Sequence, residues 1–257
     1  MERRDLGNGA YALFPSSLER RGFLVAFTER TGGSSPAPYE SLNLGLKTDD
    51  DRDRVIGNRR QVIGALDIPP FAVAEQKHRA RLARVGEKHS GSGFEDLRSA
   101  IAGVDALSVS HRNHPVAVLV ADCLPIALVA PEEKLLVVVH AGWRGLAAGI
   151  LARATAEFEK AAGIVAAIGP AIGPCHYEVG DDVAESVASG SDAGAVTERR
   201  EGRLYLDLRQ TAARSFMAAG IRHVEISDLC TACLPERFFS HRRDGITGRQ
   251  ALVAMIV

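Results

Sequence analysis

Hydrophobic positions along the chain form short runs at two periods. "GFLVAFTER", "PVAVLVADC", "PIALVA" and "LLVVVHAG" are continuous apolar runs of strand length, parted by Pro125 and the turn "PEEK", and each predicts a buried strand. "DDDRDRVIGNRRQVIGALDI" has helical spacing instead, with Val55, Ile56, Val62, Ile63 and Leu66 on one face and aspartates at the end the macrodipole favours. "FAVAEQKHRARLARV" reads as a strand carrying His78 just past its end. A helix after residue 145 gathers Leu146, Ile150, Leu151 and Phe158 on one face,. "GIVAAIGPAIGP" predicts a strand and a turn, "DDVAESVAS" and "LDLRQTAARSFMAAG" two helices, and "HVEISDLC" and "ALVAMIV" two further strands. Residues 188–203 read as a mobile surface loop, and "TGGSSPAPYESLNLG" as a long turn-rich one. No repeat, low-complexity tract or linker divides the chain. The expectation is an α/β (α+β) fold, one domain over residues 1–257, with mixed sheets and helices.

Composition narrows the function. With 46% hydrophobic and 25% charged residues, the 257-residue chain has ordinary globular composition and ample material for a core. No apolar run is long enough to span a bilayer and no secretory leader opens the sequence, so a cytoplasmic protein is expected. A formal net charge of −1 gives no bulk attraction to nucleic acid or anionic membrane. Only five of the 31 basic residues are lysines; the arginine excess is read as base composition ahead of the alternative, a set of phosphate clamps. Four cysteines (Cys123, Cys175, Cys230, Cys233) in such a chain read as reduced thiols rather than a disulfide framework.

The chemistry-bearing residues cluster at strand ends. His78, Cys123 and His140 each end or interrupt an apolar run, 45 and 17 residues apart, which matches no compact zinc-finger spacing. They can meet only if neighbouring strands bring them together, and would then form a three-donor set with a fourth position open, as in catalytic zinc sites. Each also has an ordinary reading, the thiol as a small core residue and the imidazoles as hydrogen-bonded boundary residues. In "VVVHAGWRGLAAG" the glycines allow a close turn before a helix, where amide N–H groups and Arg144 could converge on an anion. Trp143 is a stacking platform or simply core. "CTAC" (Cys230–Cys233) lacks a second CxxC, so these two thiols are expected to be structural and metal-free. Cys175 and His176 are adjacent, and in a strand would face opposite ways.

"TERTGGSSPAPYESLNLG", "ADCLPI", "HAGWRG", "GPAIGPCHYEVG" and "DLCTACLPERFFSHRRDGITGRQAL", in that order, resemble the YfiH-like family from about residue 23 to the C-terminus. Its members have been described as multicopper polyphenol oxidases (laccase-domain proteins) and as purine nucleoside phosphorylases. The resemblance implies an α/β sandwich of mixed sheets flanked by helices, and a zinc site on His78, Cys123 and His140. It also implies phosphorolysis of adenosine, inosine, guanosine and methylthioadenosine, with adenosine deamination as a second activity. Where the family has a glycine after the first ligand, this chain reads "QKHRAR", which alters the pocket mouth but keeps the ligand. Zinc in such a set can activate water for attack on adenine C6. Phosphorolysis also needs phosphate held beneath the ribose C1′, and Arg30, Arg144 and Arg242 are candidates for that task. Asn43 is a candidate contact to the nucleoside. Nucleosides and phosphate are the expected partners, with no nucleic acid or membrane, in a monomer or small homo-oligomer. A different reading makes Cys123 and His140 the thiolate–imidazole pair of a cysteine hydrolase editing an amide or peptidoglycan precursor. Copper is less suited, because a multicopper centre needs many histidines and only eight are dispersed along the chain.

Overall fold

The apolar runs become the strands of two stacked sheets in the computed structural model, which describes every residue except Glu19, Arg20 and Asp192. β1 (Glu2–Gly7), β2 (Ala10–Phe14) and β3 (Phe23–Thr28) precede helix α1 (Arg52–Leu66). Next come β4 (Ala72–Val73), β5 (Leu82–Val85), β6 (Ala106–Val109), β7 (Val116–Val120), β8 (Leu124–Ala130) and β9 (Leu135–Ala141). Two short helices, α2 (Trp143–Ala147) and α3 (Ile150–Thr155), lead to β10 (Val165–Ile168), β11 (Glu178–Val179) and α4 (Asp181–Ser189). The chain closes with β12 (Thr197–Arg200), β13 (Arg203–Leu206), α5 (Leu208–Ala218), β14 (His223–Ile226), α6 (His241–Asp244) and β15 (Gln250–Ile256).

One six-stranded sheet has the order β1-β2-β3-β15-β7-β4 and the other β14-β10-β8-β9-β6-β5. Parallel pairs (β4 with β7, β5 with β6, β10 with β14) sit among antiparallel ones in both, so both are mixed. Between them, Phe27, Val118 and Leu252 of the first sheet meet Ala127, Val129, Leu136 and Val138 of the second. The opposite face of β8 and β9 (Ile126, Leu128, Val137, Val139) packs under Leu146, Ile150, Ala212 and Phe216 from α2, α3 and α5. Burial on both faces is why these strands read as unbroken apolar runs rather than alternating ones. Across the other sheet, Val62 of α1 joins Leu42, Leu44 and Phe71 against Ala251 and Val253. The result is the helix-flanked sandwich of mixed sheets expected from the motifs.

Three local readings change, and one element is new. Residues 71–85 are not one strand: β4 and β5 lie in different sheets, and His78 sits between them in the left-handed region at φ 57°. The helix foreseen after residue 145 is broken by Gly149 at φ 80°, although Leu146, Ile150, Leu151 and Phe158 all stay buried. The foreseen loop at 188–203 contains β12 and the start of β13, two strands of a small three-stranded sheet; its Asp192 lies outside the described residues. The chain also opens with a β1–β2 hairpin, turned by Asn8 and Gly9 at positive φ. Among the described residues no helix is long and apolar enough to cross a membrane.

Candidate metal centre and its cavity

Strand alternation puts His140, the last residue but one of β9, on the face shared with Leu136 and Val138, pointing toward the gap between the sheets. Its residue is only 3% exposed. Cys123 ends the turn between β7 and β8, where Asp122 adopts φ 87°. Main-chain pairing of β8 with β9 then sets Leu124 opposite Ala141 and Pro125 opposite His140, bringing the thiol beside the imidazole. His78 arrives from the β4–β5 loop, its ring edge-on to that of His140 with centroids 4.7 Å apart. Donor atoms of His78, Cys123 and His140 all lie within 4.8 Å of one another.

Asp105, at the entry to β6, holds this arrangement. Its side chain is fully buried, and its Oδ1 lies 2.9 Å from His140 Nδ1. The backbone N–H of His78 donates to Oδ1 at 2.9 Å, that of Arg79 to Oδ2 at 2.8 Å, and that of Lys77 to both. One carboxylate therefore wraps the 77–79 loop around itself, keeps His78 in its left-handed backbone, and orients His140. A proton on Nδ1 directed at Asp105 leaves Nε2 as the free donor, the carboxylate–histidine arrangement typical of metal ligands. Burial pushes the Asp105 carboxyl up, but the His140 and backbone N–H bonds outweigh it and hold it below the usual range.

The charges within the trio reinforce one another. Burial raises the Cys123 thiol, yet His140 and His78 overcome that and bring it to about 6. Burial likewise lowers His140, while Cys123 and Asp105 reverse the effect and raise it to about 9. A thiol this ready to ionise is a good nucleophile and a good ligand. Close approach from the "HAGWRG" turn completes the site. A Cβ on Gly142 would fall 2.8 Å from Cys123 Sγ and 3.2 Å from His78 Cδ2, so only glycine passes there.

The trio borders a cavity of about 400 Å³, also lined by the apolar Val73, Ala74, Leu97, Leu119 and Val120 and by the polar Lys47, Arg144, His241 and Arg249. That size suits a small-molecule site. A more open groove of about 890 Å³, lined by Arg84, Glu133, Glu157 and Lys160 among others, is larger but holds none of the trio.

The four residues proposed from motif position for substrate contact divide. Arg144 lines the cavity with its guanidinium 4.4 Å over the Trp143 ring; Trp143 itself packs partly against the helix-side core. Arg30 is not among the lining residues, and its Nε and Nη1 donate to the carbonyls of Glu40 and Pro235. Arg242 is also outside the lining; its Nη1 donates to the carbonyls of His176 and Glu178. Asn43 too lies outside the lining. It is fully buried, Nδ2 donates to Thr48 and Asp50, and Oδ1 accepts from the N–H of Gly45 and Arg249. Its hydrogen-bonding capacity is used up in shaping the cavity wall. Motif reading passed over Arg249, His241 and Lys47. Arg249 stands near Cys123, Asp122 and Tyr39, which support its charge against the burial that lowers it.

Fold and site together define an α/β sandwich protein in which a His–Cys–His set fit to hold a metal ion faces a small-molecule cavity. Residues 24–257 match the family described as multi-copper polyphenol oxidoreductase laccase, and the chain belongs to that family. It is similar to the purine nucleoside phosphorylase YlmD of Geobacillus stearothermophilus, 39% identical over 241 residues covering 89% of this chain and 88% of the relative. The purine nucleoside phosphorylase YfiH of Shigella flexneri is 35% identical over 237 residues, 90% of this chain and 93% of its own. Among solved structures, YlmD from Geobacillus stearothermophilus superposes with a TM-score of 0.92 at 35% identity, covering 99% of this chain and 98% of its own. The resemblance to YfiH-like proteins read from the motifs is thus established.

Proposed function

We propose that this chain is a zinc-dependent purine nucleoside phosphorylase that also deaminates adenosine, acting in the cytoplasm on soluble nucleosides and phosphate. The carrying observation is the His78–Cys123–His140 set opening onto a cavity lined by apolar and basic side chains; the relatives' names agree with it. Two imidazoles and a readily ionised thiol suit zinc, with a fourth position open. Zinc held by these three residues would supply Lewis acidity beside the cavity.

The chain's own residues account for the rest of phosphorolysis. Val73, Leu97, Leu119 and Val120 offer an apolar surface to a planar base. Arg144 and Arg249 face the cavity and suit a phosphate dianion. In the reaction a phosphate oxygen bonds to ribose C1′ while the C1′–N9 bond breaks, its electron pair leaves with the purine, and the purine takes up the proton that the phosphate gives up. Arg144 and Arg249 offset the phosphate charge as it develops in the transition state. Copper fits less well: the trio is a single three-donor group, not the several histidine-rich centres of a multicopper oxidase.

The experiment is a product assay. Inosine with phosphate should yield hypoxanthine and ribose 1-phosphate, inosine alone should yield neither, and adenosine should also yield inosine. Hypoxanthine release independent of phosphate, or no release, would refute the reading. One observation favours a second reading: Cys123, His140 and Asp105 are linked like a nucleophile, base and orienting acid, which suits a cysteine hydrolase. That enzyme would cleave an amide substrate with undiminished rate after chelation, whereas the phosphorylase would not.

A further inference from the structure

The two cysteines of "CTAC", expected to be metal-free for want of partners, have partners. Cys175 and His176 lie in a turn rather than a strand, so adjacent side chains converge instead of facing apart. Cys175 Sγ is 3.4 Å from Cys233 Sγ. His176 Nδ1 is 3.3 Å from the sulfur of Cys175, 3.3 Å from that of Cys233 and 3.9 Å from that of Cys230. All four donors fall within 4.8 Å of one another, and the three thiols are free.

We propose that Cys175, His176, Cys230 and Cys233 form a second metal site, a closed Cys3His zinc site separate from the His78–Cys123–His140 trio. Bonds of about 2.3 Å to sulfur and 2.0–2.1 Å to nitrogen in a tetrahedron place donors about 3.5–3.8 Å apart. The Cys175–Cys233 separation and the three from His176 run from 3.3 to 3.9 Å and bracket that range, while Cys230 Sγ lies within 4.8 Å of the other two sulfurs. Three thiolates and one imidazole in tetrahedral array select zinc over the hard cations. The Gly173 N–H donates to Cys230 Sγ at 3.1 Å, the outer hydrogen bond that steadies a ligating thiolate. With four protein donors no position is open for substrate, so the role is structural.

The location gives that role a purpose. The metal cross-links the 173–177 turn to the 230–233 turn, and both segments grip Asp122, the neighbour of Cys123. The Ile172 N–H donates to the Asp122 carbonyl at 2.9 Å, and Thr231 Oγ1 donates to Asp122 Oδ1 at 2.6 Å. Arg242 N–H donates to the other carboxylate oxygen at 2.7 Å, and the Arg242 side chain returns to the carbonyl of His176. A structural zinc at the outer end of this network would hold the turn that presents Cys123.

The test counts metal in reduced, zinc-loaded protein by native mass spectrometry and elemental analysis. The C123A/H140A variant should keep one tightly held zinc and C230S/C233S should lose that ion. Cobalt in C123A/H140A should show thiolate-to-metal charge-transfer absorption from three sulfurs. A second readout needs no variant: Cys175, Cys230 and Cys233 of the full chain should be alkylated at least tenfold more slowly with zinc than after chelation. Folded C123A/H140A without metal, or alkylation equally fast in both states, would overturn the proposal. Neither readout depends on nucleoside turnover.

Discussion

Asp105→Asn isolates the residue that joins both histidines of the trio. In the wild type its carboxylate receives the N–H groups of Lys77, His78 and Arg79 and the Nδ1 of His140. An amide keeps one acceptor oxygen and turns the other atom into a donor. Facing Oδ2's partners, the new NH2 opposes the N–H groups of Lys77 and Arg79; facing Oδ1's, it opposes His78 N–H and forces His140 into the wrong tautomer. Either way about two partly buried donors lose their acceptor, at about 1–3 kcal/mol each, so a loss of about 2–6 kcal/mol in stability is expected. That corresponds to a fall in Tm of roughly 5–15 °C at this chain size. Zinc affinity at the trio should fall about 10–100-fold, read by competition with a chromogenic chelator. Because the folded-state carboxyl lies below its usual range, its contribution is complete above the unfolded value of about 3.9 and fades as pH falls through the folded one. The stability gap between wild type and variant should therefore close in acid, and in metal-free protein it should also narrow as pH rises from about 6.5 through about 9, where His140, raised by Cys123 and Asp105, gives up its extra proton,. Unchanged zinc affinity and unchanged Tm would refute the positioning role.

Gly142→Ala should weaken zinc binding in titration calorimetry, since its Cβ would meet Cys123 Sγ at 2.8 Å; wild-type affinity would show that the thiol can yield. Arg144→Ala should slow phosphorolysis about a hundredfold or more, as for loss of a transition-state contact worth about 2.7–4 kcal/mol. Adenosine deamination, which uses no phosphate, should suffer far less in the same preparation, and equal losses would move Arg144 out of the phosphate role. Asn43→Ala should cost about 2–4 kcal/mol in denaturant unfolding through its four hydrogen bonds, one buried and three partly so,, lowering the amount of folded enzyme while leaving the KM for nucleoside nearly unchanged. A selective rise in KM at unchanged stability would return Asn43 to substrate contact.

Much of this was legible in the sequence where one physical rule dominated. Runs such as "PIALVA" and "LLVVVHAG" had to be doubly buried strands, and a polar His140 at the end of one was conspicuous against them. Asp105 was not legible, because an aspartate before a strand looks like any turn residue. Only the 77–79 loop folding onto it makes it central. Cys175 and His176 were misjudged by applying strand alternation to a turn, which hid the partners of Cys230 and Cys233. Arg249 and His241 escaped because the C-terminal segment reaches the cavity through the central pairing of β15 with β3 and β7, a long-range contact no local pattern encodes. The β1–β2 hairpin was signalled by "GNG", a turn sequence at which two strands could have been inferred.

The central claim is that metal at His78, Cys123 and His140 supports phosphorolysis. Its most direct test is inosine turnover in phosphate by chelator-stripped protein, before and after zinc is restored, with C123A alongside. The expected result is hypoxanthine release that vanishes on stripping, returns with zinc in the wild type and does not return in C123A. Full turnover by the metal-free wild type, or by C123A, would contradict the account.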